Sequence, residues 1–414
     1  MTAPEINAES TWIHAAFPAL SKTSMALFDN AGGTAPCRHA IDAVAAYQRD
    51  CPVQLGADYP LSVMAADRLG TAFADAGELL GLSETALPFD HQLVFGSSST
   101  GLIDALARSL AQGWSAGDEI VVTNVDHEAN IGAWRRLEAL GFVIREWQLD
   151  DPSEPLTAAT LATQLSSRTR LVAFTHASNI LGNVTPLPAL CAMVRDAGAL
   201  SVIDGVGFAP HRSLDVADWG ADFYVFSVYK VFGPHCAVLF GTETAWQQAG
   251  NINHSFHRDA PPSIRLAPGA FPYELAAGIS GVARYLSELT TRLGATARRD
   301  TWDAIRAHED HLCSGVLDAL AALRDVRVIG AAQCTAERLP IVSFVVRGQS
   351  SESVSRALID KGFAVRHGHF YAPRLLRYLD IEPADGVVRL SLTHYNTVAE
   401  CHDFVHALGE VIAR

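Results

Sequence analysis

Three observations predict an α/β chain, with a large domain on a mainly parallel seven-stranded sheet and a small α+β domain after it. Short apolar runs alternate with amphipathic segments through the first 245 residues, the rhythm that strand–helix–strand units produce. Polar residues gather where those runs end. Near residue 265 the rhythm gives way to a punctuated loop, a long helical stretch and separate strands. At 414 residues the chain is long enough for two such bodies.

The predicted strands of the large sheet are Gln92–Phe95, Glu119–Thr123, Phe142–Trp147, Arg170–Thr175, Ala199–Asp204, Asp222–Ser227 and Cys236–Gly241. Amphipathic segments at Gly101–Gln112, Ala129–Leu140 and Leu187–Gly198 lie between them, which places helices on both faces. Only about eight residues separate the last two strands, too few for a helical crossover, so Cys236–Gly241 is expected to run antiparallel. Pro261-Pro262 and Ala267-Pro268-Gly269 then mark a loop. A helical pattern from Glu274 to His311 follows, with strands at Pro340–Val346, Phe363–Arg366 and Val387–Thr393 and helices at Ser351–Lys361 and Val398–Ala413. The expected division is an N-terminal segment, 1–25, packed on the small domain, a large domain over 26–265, and a small domain over 266–414 that includes the connecting helix.

The formal charge of −14 argues against nucleic acid and anionic membrane surfaces as partners. No basic block and no apolar stretch of transmembrane length occurs, and the polar, acidic N-terminus is no signal peptide. Seven cysteines are scattered without a Cys-x-x-Cys pair, as expected of reduced thiols in a cytoplasmic protein.

Chemistry concentrates at the predicted strand ends, where open parallel sheets bind ligands. Lys230 stands just past the apolar strand Asp222–Ser227 and before Gly233-Pro234. Burying an ammonium there costs several kcal/mol unless compensated, and one compensation is the imine a lysine forms when it carries pyridoxal phosphate (PLP). A lysine reaching out to water is the plainer alternative for this residue alone. Gly96-Ser97-Ser98-Ser99-Thr100-Gly101 opens a helix and offers an anion site. Its glycines have P-loop spacing, but Leu102 replaces the lysine, which excludes a nucleotide triphosphatase. His127 could lay its ring on a flat cofactor, although a lone histidine is more often a structural hydrogen-bonder, and Asn179 could donate to a phenolate oxygen. Asp204 ends a buried strand and wants a cation, which a pyridinium N–H would supply; taken alone, a helix N-cap or a structural salt bridge accounts for it equally well. His308 and His311, one helical turn apart, lack a third ligand and are expected to line a solvated face rather than bind a metal. The His254–His257 loop is left open between cleft and surface.

In their order these residues resemble the fold type I PLP enzymes, specifically the class V aminotransferase and cysteine desulfurase group, over nearly the whole chain. The resemblance implies a homodimer with a shared active site and a small amino-acid substrate. It makes Phe28-Asp29-Asn30-Ala31-Gly32-Gly33 the N-terminal active-site loop, with Asn30 and Ala31 on the substrate side. It makes Ser98, Ser99, Ser227 and Tyr229 phosphate residues, joined across the dimer by Tyr273. His127 becomes the ring-stacking residue, Asn179 the neighbour of the phenolic oxygen, Asp204 the pyridine partner and Lys230 the Schiff-base lysine. Arg389 holds the substrate carboxylate, with Arg366 as a second anchor. Asp-Asn-Ala-Gly-Gly, Ala209-Pro210-His211 and Gly368-His369-Phe370-Tyr371-Ala372 are most similar to the bacterial desulfurase-like branch.

Departures from the pattern bear on the reaction. Desulfurases of this group carry a cysteine in the loop after the counterpart of Arg366. Here the loop reads Arg366-His-Gly-His-Phe-Tyr371, and no cysteine lies between Cys334 and Cys401. Gly207 replaces a larger polar residue, and Ala270 a threonine. With Tyr371 and His369 as candidate acids, the expected reaction is β-elimination from a cysteine-derived substrate by a lyase without a persulfide thiol. Racemisation or epimerisation and class V transamination are the alternatives. Outside enzymes, the alternative is a PLP-fold binding subunit.

Overall fold

Four strands that end in polar residues define the site, and they belong to one sheet. The structure, a computed structural model, describes residues 6–82 and 88–413. In chain order the strands of this sheet are β1 (Leu93–Gly96), β2 (Glu119–Thr123), β3 (Val143–Trp147), β4 (Thr169–Thr175), β5 (Leu200–Asp204), β6 (Phe223–Ser227) and β7 (Ala237–Gly241). They pair in the order β1-β7-β6-β5-β4-β2-β3. β7 runs antiparallel to both neighbours, and the other pairings are parallel. β2, β5, β6 and β7 are buried along their whole length, as a sheet covered on both faces requires. All seven predicted strands are present to within about a residue or two, and the antiparallel assignment of the last is correct.

The helical stretch expected from Glu274 to His311 is two helices, Tyr273–Arg292 and Arg298–Ala321. Gly294 takes φ +64° and stops the first, while the Asp300 carboxylate accepts the backbone N–H of Thr296 and Ala297 and starts the second. Both helices are amphipathic with similar periodicity, so the break escaped the pattern.

The small body carries a four-stranded antiparallel sheet in the order Arg366–Gly368, Val387–Ser391, Ile341–Val346, Val326–Ile329. The last strand was not expected; its burial is partial and its residues alternate with charge. The expected strand Phe363–Arg366 is divided. Phe363–Ala364 pairs in parallel with Ala26–Leu27, and Arg366 opens the next strand. Upstream of that pair, Phe17 sits edge-on to Tyr395 and Tyr285 with centroids 4.9 and 5.2 Å away. Such pairs add about 0.5–1.5 kcal/mol each to the burial itself. No described helix is long and apolar enough to cross a membrane.

Candidate active site

One cavity lies at the C-terminal ends of β2, β4, β5 and β6, and its floor is polar. Lys230 closes the 3-10 turn Val228–Lys230 that follows β6 and is 8 % exposed. Burial, then the positive charge of Arg389, lowers its pKa to about 8, with Asp204 and Asp29 pulling the other way. Asp204 ends β5 and is 4 % exposed; one oxygen accepts the Val206 N–H at 2.9 Å. Burial raises its pKa, offset by that hydrogen bond and by Lys230. Both groups line the cavity, yet among the described residues neither enters an ion pair.

His127 follows β2. Its Nδ1 accepts the Ala129 N–H at 3.0 Å, which leaves the proton on Nε2. Burial, then Lys230 and Arg389, pushes its pKa down to about 4, so the ring is neutral. The preceding Asp126 anchors the turn. It accepts from Asn130 at 2.7 Å, from the Thr175 N–H at 3.1 Å and from the Thr123 hydroxyl. Burial raises its pKa to about 7. Sequence reasoning passed over Asp126, because a carboxylate beside a histidine looks the same whether it caps a turn or faces a ligand.

At the start of the helix Ser99–Leu110 the serines divide their roles. Ser98 caps the helix by accepting the Gly101 N–H at 3.1 Å. Ser99 and Thr100 line the cavity instead, and Ser99 Oγ receives the Ser227 hydroxyl at 3.1 Å. Tyr229 also lines the cavity, its ring stacked on His235 at 4.6 Å. Gly207 lines it too, and a Cβ there would lie 2.8 Å from the Ala177 carbonyl oxygen. The absent side chain thus accommodates a close backbone approach. Tyr273 lies elsewhere in the same chain, edge-on to Phe271 at 5.3 Å and packed against the Tyr47 cluster.

The mouth is built by the small body. Arg389 is 2 % exposed. It donates to the Asn179 carbonyl oxygen at 3.2 Å and to Asp29 Oδ1 at 3.1 Å, while its buried Nε has no partner. Its guanidinium lies 3.8 Å from the Phe370 ring centroid. Burial lowers its pKa to about 10 against the pull of Asp29. Arg366, exposed, reaches the other oxygen of Asp29 at 3.4 Å. Asn179 lines the cavity and spends one amide hydrogen on the Phe370 carbonyl at 2.8 Å.

Tyr371 is 62 % exposed; its ring is tilted 35° against His127 at 4.9 Å, and its backbone N–H donates to His369 Nδ1 at 3.0 Å. The structure thus brings Tyr371 and His369 together at the rim, outside the floor. Asn30 is buried, and its amide group is spent on the Leu27 and Ser391 carbonyls, Asn396 and the Tyr395 hydroxyl. Ala31 donates its N–H to Ser391 Oγ at 2.8 Å. Both residues therefore brace the loop, and Asp29 is the member of it that meets the arginines. Asp29 and Phe370 went unsingled in the sequence; the contact order of a loop from one end of the chain and a strand from the other is invisible there.

His308 is buried and donates to the Asn396 carbonyl at 2.8 Å, so the expected solvated face is corrected for His308 and holds for the exposed His311. Among the described residues no group of three or more His, Cys, Asp or Glu is placed to hold a metal. The loop at His254–His257 is a surface feature, with Phe256 78 % exposed.

Residues 26–404 match the family model for class V aminotransferases. The chain is 37 % identical to an aminotransferase-like protein FGM3 of Gibberella zeae, covering 97 % of this chain and 98 % of that one. It is 32 % identical to a cysteine desulfurase-like protein ustD of Aspergillus flavus, covering 99 % and 91 %. The fold superposes on a cysteine desulfurase of Thermococcus onnurineus with a TM-score of 0.86 at 23 % identity, covering 97 % and 98 %. These likenesses support an enzyme of this general class with a PLP cofactor. By family model and by identity over nearly its whole length, the chain belongs to the class V aminotransferase family.

Proposed function

We propose that the chain holds PLP at Lys230 and eliminates a β-substituent from a cysteine-derived L-amino acid, as a carbon–sulfur lyase without a persulfide thiol. The observation that carries the cofactor assignment is a buried lysine and a buried carboxylate that face one cavity without pairing. Leaving them to offset each other only across the cavity, without a direct ion pair, is costly. A ring with an aldehyde at one edge and a protonated nitrogen at another satisfies the two at once, so the residues fit the group. Asp204 would accept the pyridine N–H. Ser99, Thr100, Ser227 and the first turn of Ser99–Leu110 would take the phosphate. Neutral His127 would lie against the ring, and the second amide hydrogen of Asn179 would serve the phenolic oxygen.

When bound, the cofactor supplies an electron sink for the pair left at Cα when a bond there breaks. The chain's own residues do the rest. Arg389 pairs with the substrate carboxylate through its planar fork. Lys230 takes the Cα proton as general base, a role its lowered basicity suits near neutral pH. Tyr371 and His369 at the rim deliver a proton to the departing sulfur. None of the seven cysteines lines the cavity, which favours release of a thiol over its transfer to the protein.

A homodimer accompanies this reading. Ile41, Leu61, Val63 and Met64 are exposed on the helices Arg38–Asp50 and Pro60–Leu79. An apolar groove between Ile41, Val44 and Leu275 runs up to Tyr229, the residue that also lines the cavity. A second copy seated there would bring its own residues to the phosphate end, where Tyr273 has its place.

Incubating the PLP-loaded protein with S-substituted cysteines and assaying pyruvate tests the reaction. Pyruvate in step with released thiol is expected. Solvent deuterium at Cα without pyruvate would make it an epimerase, pyridoxamine phosphate a transaminase, and no spectral response to any amino acid a binding subunit.

A further inference from the structure

The arginine at the substrate end already has a carboxylate. Asp29 bridges Arg389 at 3.1 Å and Arg366 at 3.4 Å with its two oxygens. The seat is made for it, because a Cβ at Gly32 would lie 2.9 Å from both Asp29 oxygens. The loop is pinned on either side, by the Asp29–Ser391 bridge and by the four partners of Asn30. Asp29 itself keeps partial exposure toward the mouth.

Two consequences follow from the chemistry. A guanidinium buried as deeply as Arg389 is costly without a counter-charge. A second carboxylate arriving from solvent meets an arginine whose orientation is already set, with the buried Nε–H and the remaining Nη hydrogens free to receive it. Resting on the reading of Lys230 as the PLP lysine and Arg389 as the carboxylate anchor, we propose that Asp29 is a positioning residue. It acts as the resting-state counter-carboxylate of Arg389, aiming the guanidinium and keeping the Lys230 end of the cavity from carrying uncompensated positive charge. Asp29 touches neither substrate nor cofactor on this reading; it works through Arg389 and, at the rim, Arg366.

The charged and titratable groups around Lys230 are Asp204, Arg389, Asp29 and His127. Of these, Asp29 is the one carboxylate whose removal changes the balance at the substrate end while leaving the pyridine partner intact. The test uses the PLP-loaded full chain and the variants Asp29→Asn, Asp29→Glu and Arg366→Gln. The first readout is the pH midpoint of the visible absorbance of lysine-bound PLP, which needs no substrate and which a purely structural role would not move. Removing one negative charge near that nitrogen is expected to lower the midpoint in Asp29→Asn by about half a unit or more. Asp29→Glu should restore most of it, and Arg366→Gln, which removes a positive charge, should move it the opposite way or not at all. The second readout is the spectral Kd for L-alanine. It is expected to weaken by about ten- to a hundred-fold in Asp29→Asn, the range for losing a hydrogen bond to a charged group.

A midpoint in Asp29→Asn indistinguishable from the parent would overturn the proposal. So would an Asp29→Asn protein that cannot load PLP while Arg366→Gln loads normally, since Asp29 would then be an anchor of the fold. If the parent chain itself carries no PLP on Lys230, the underlying cofactor reading fails instead, and the two failures are separable.

Discussion

The floor of the cavity and its mouth are made from different kinds of chain. Lys230, Asp204, His127 and Ser99 stand within a few residues of the ends of β6, β5, β2 and β1, on a continuous ladder, with all but the half-buried His127 buried. Arg366, Phe370 and Tyr371 come from a sheet edge and a loop of the small body, and Asp29 from an N-terminal loop bridged to it at Ser391. Phe370 and Tyr371 take φ +45° and +59°, a conformation side-chain-bearing residues seldom hold. Their segment grips the large sheet through backbone carbonyls, Phe370 to Asn179 and Tyr371 to the Glu128 N–H at 2.7 Å, reinforced by Arg374 on Glu128 at 2.8 Å. The contrast suggests a division of labour. On the proposed reading, the regular sheet would hold the groups that any PLP chemistry needs, and the rim would select which bond breaks.

That division is easiest to break at Lys230. Lys230→Ala should remove the visible absorbance of bound PLP and lower kcat by about 10²–10⁴, the span for losing a positioned general base. Loss of PLP binding with retained turnover would contradict it. Arg389→Lys should leave the absorbance intact and raise KM by about ten- to a hundred-fold, because an ammonium cannot reproduce a bidentate fork. Steady-state kinetics alongside a spectrum separates the two ends of the cavity in one experiment. Phe370→Ala should act more weakly, raising KM a few-fold through loss of a cation–π contact worth roughly 0.5–2 kcal/mol, with kcat little changed. If kcat falls as far as in Lys230→Ala, the rim does more than position.

A separate expected effect is on stability and concerns the brace behind the mouth. His394 is buried with Nε2 2.6 Å from the Tyr285 hydroxyl, and burial lowers its pKa to about 3. The unfolded chain therefore binds this proton first, near pH 6.5. The stabilising contribution is full above that pH and is lost as pH falls from 6.5 toward 3. Between pH 7 and pH 5 the cost is about 2 kcal/mol. Urea midpoints at the two pH values should differ more in the parent than in His394→Gln. Hydrogen exchange at pH 5 should rise first around Asn30 and Asn396, next to this brace, and later in β5 and β6.

Legibility followed the same line. A strand buried on both faces writes itself as an apolar run, and its end is marked where polarity begins, so Lys230, Asp204 and His127 could be placed from sequence. Position within a turn is finer than that. Ser98 and Thr100 differ by two residues in a hydroxyl-rich run, and only the N-cap geometry separates the capping serine from the residues that face the cavity. The mouth was legible in its arginines but not in Asp29 or Phe370, because their partners lie more than three hundred residues away in one case and depend on a positive-φ turn in the other. The amide of Asn30 looked available in sequence and is consumed by loop partners in the fold.

The central claim, that Lys230 is the PLP lysine, has an unusually direct test because the chain has three lysines, Lys22, Lys230 and Lys361. Lys361 is held at the surface by Glu410, and Lys22 is exposed. Borohydride reduction of the PLP-loaded protein followed by peptide mass spectrometry should place the pyridoxyl adduct on Lys230 at close to one per chain. An adduct on Lys22 or Lys361, or none after saturation with PLP, would contradict the account.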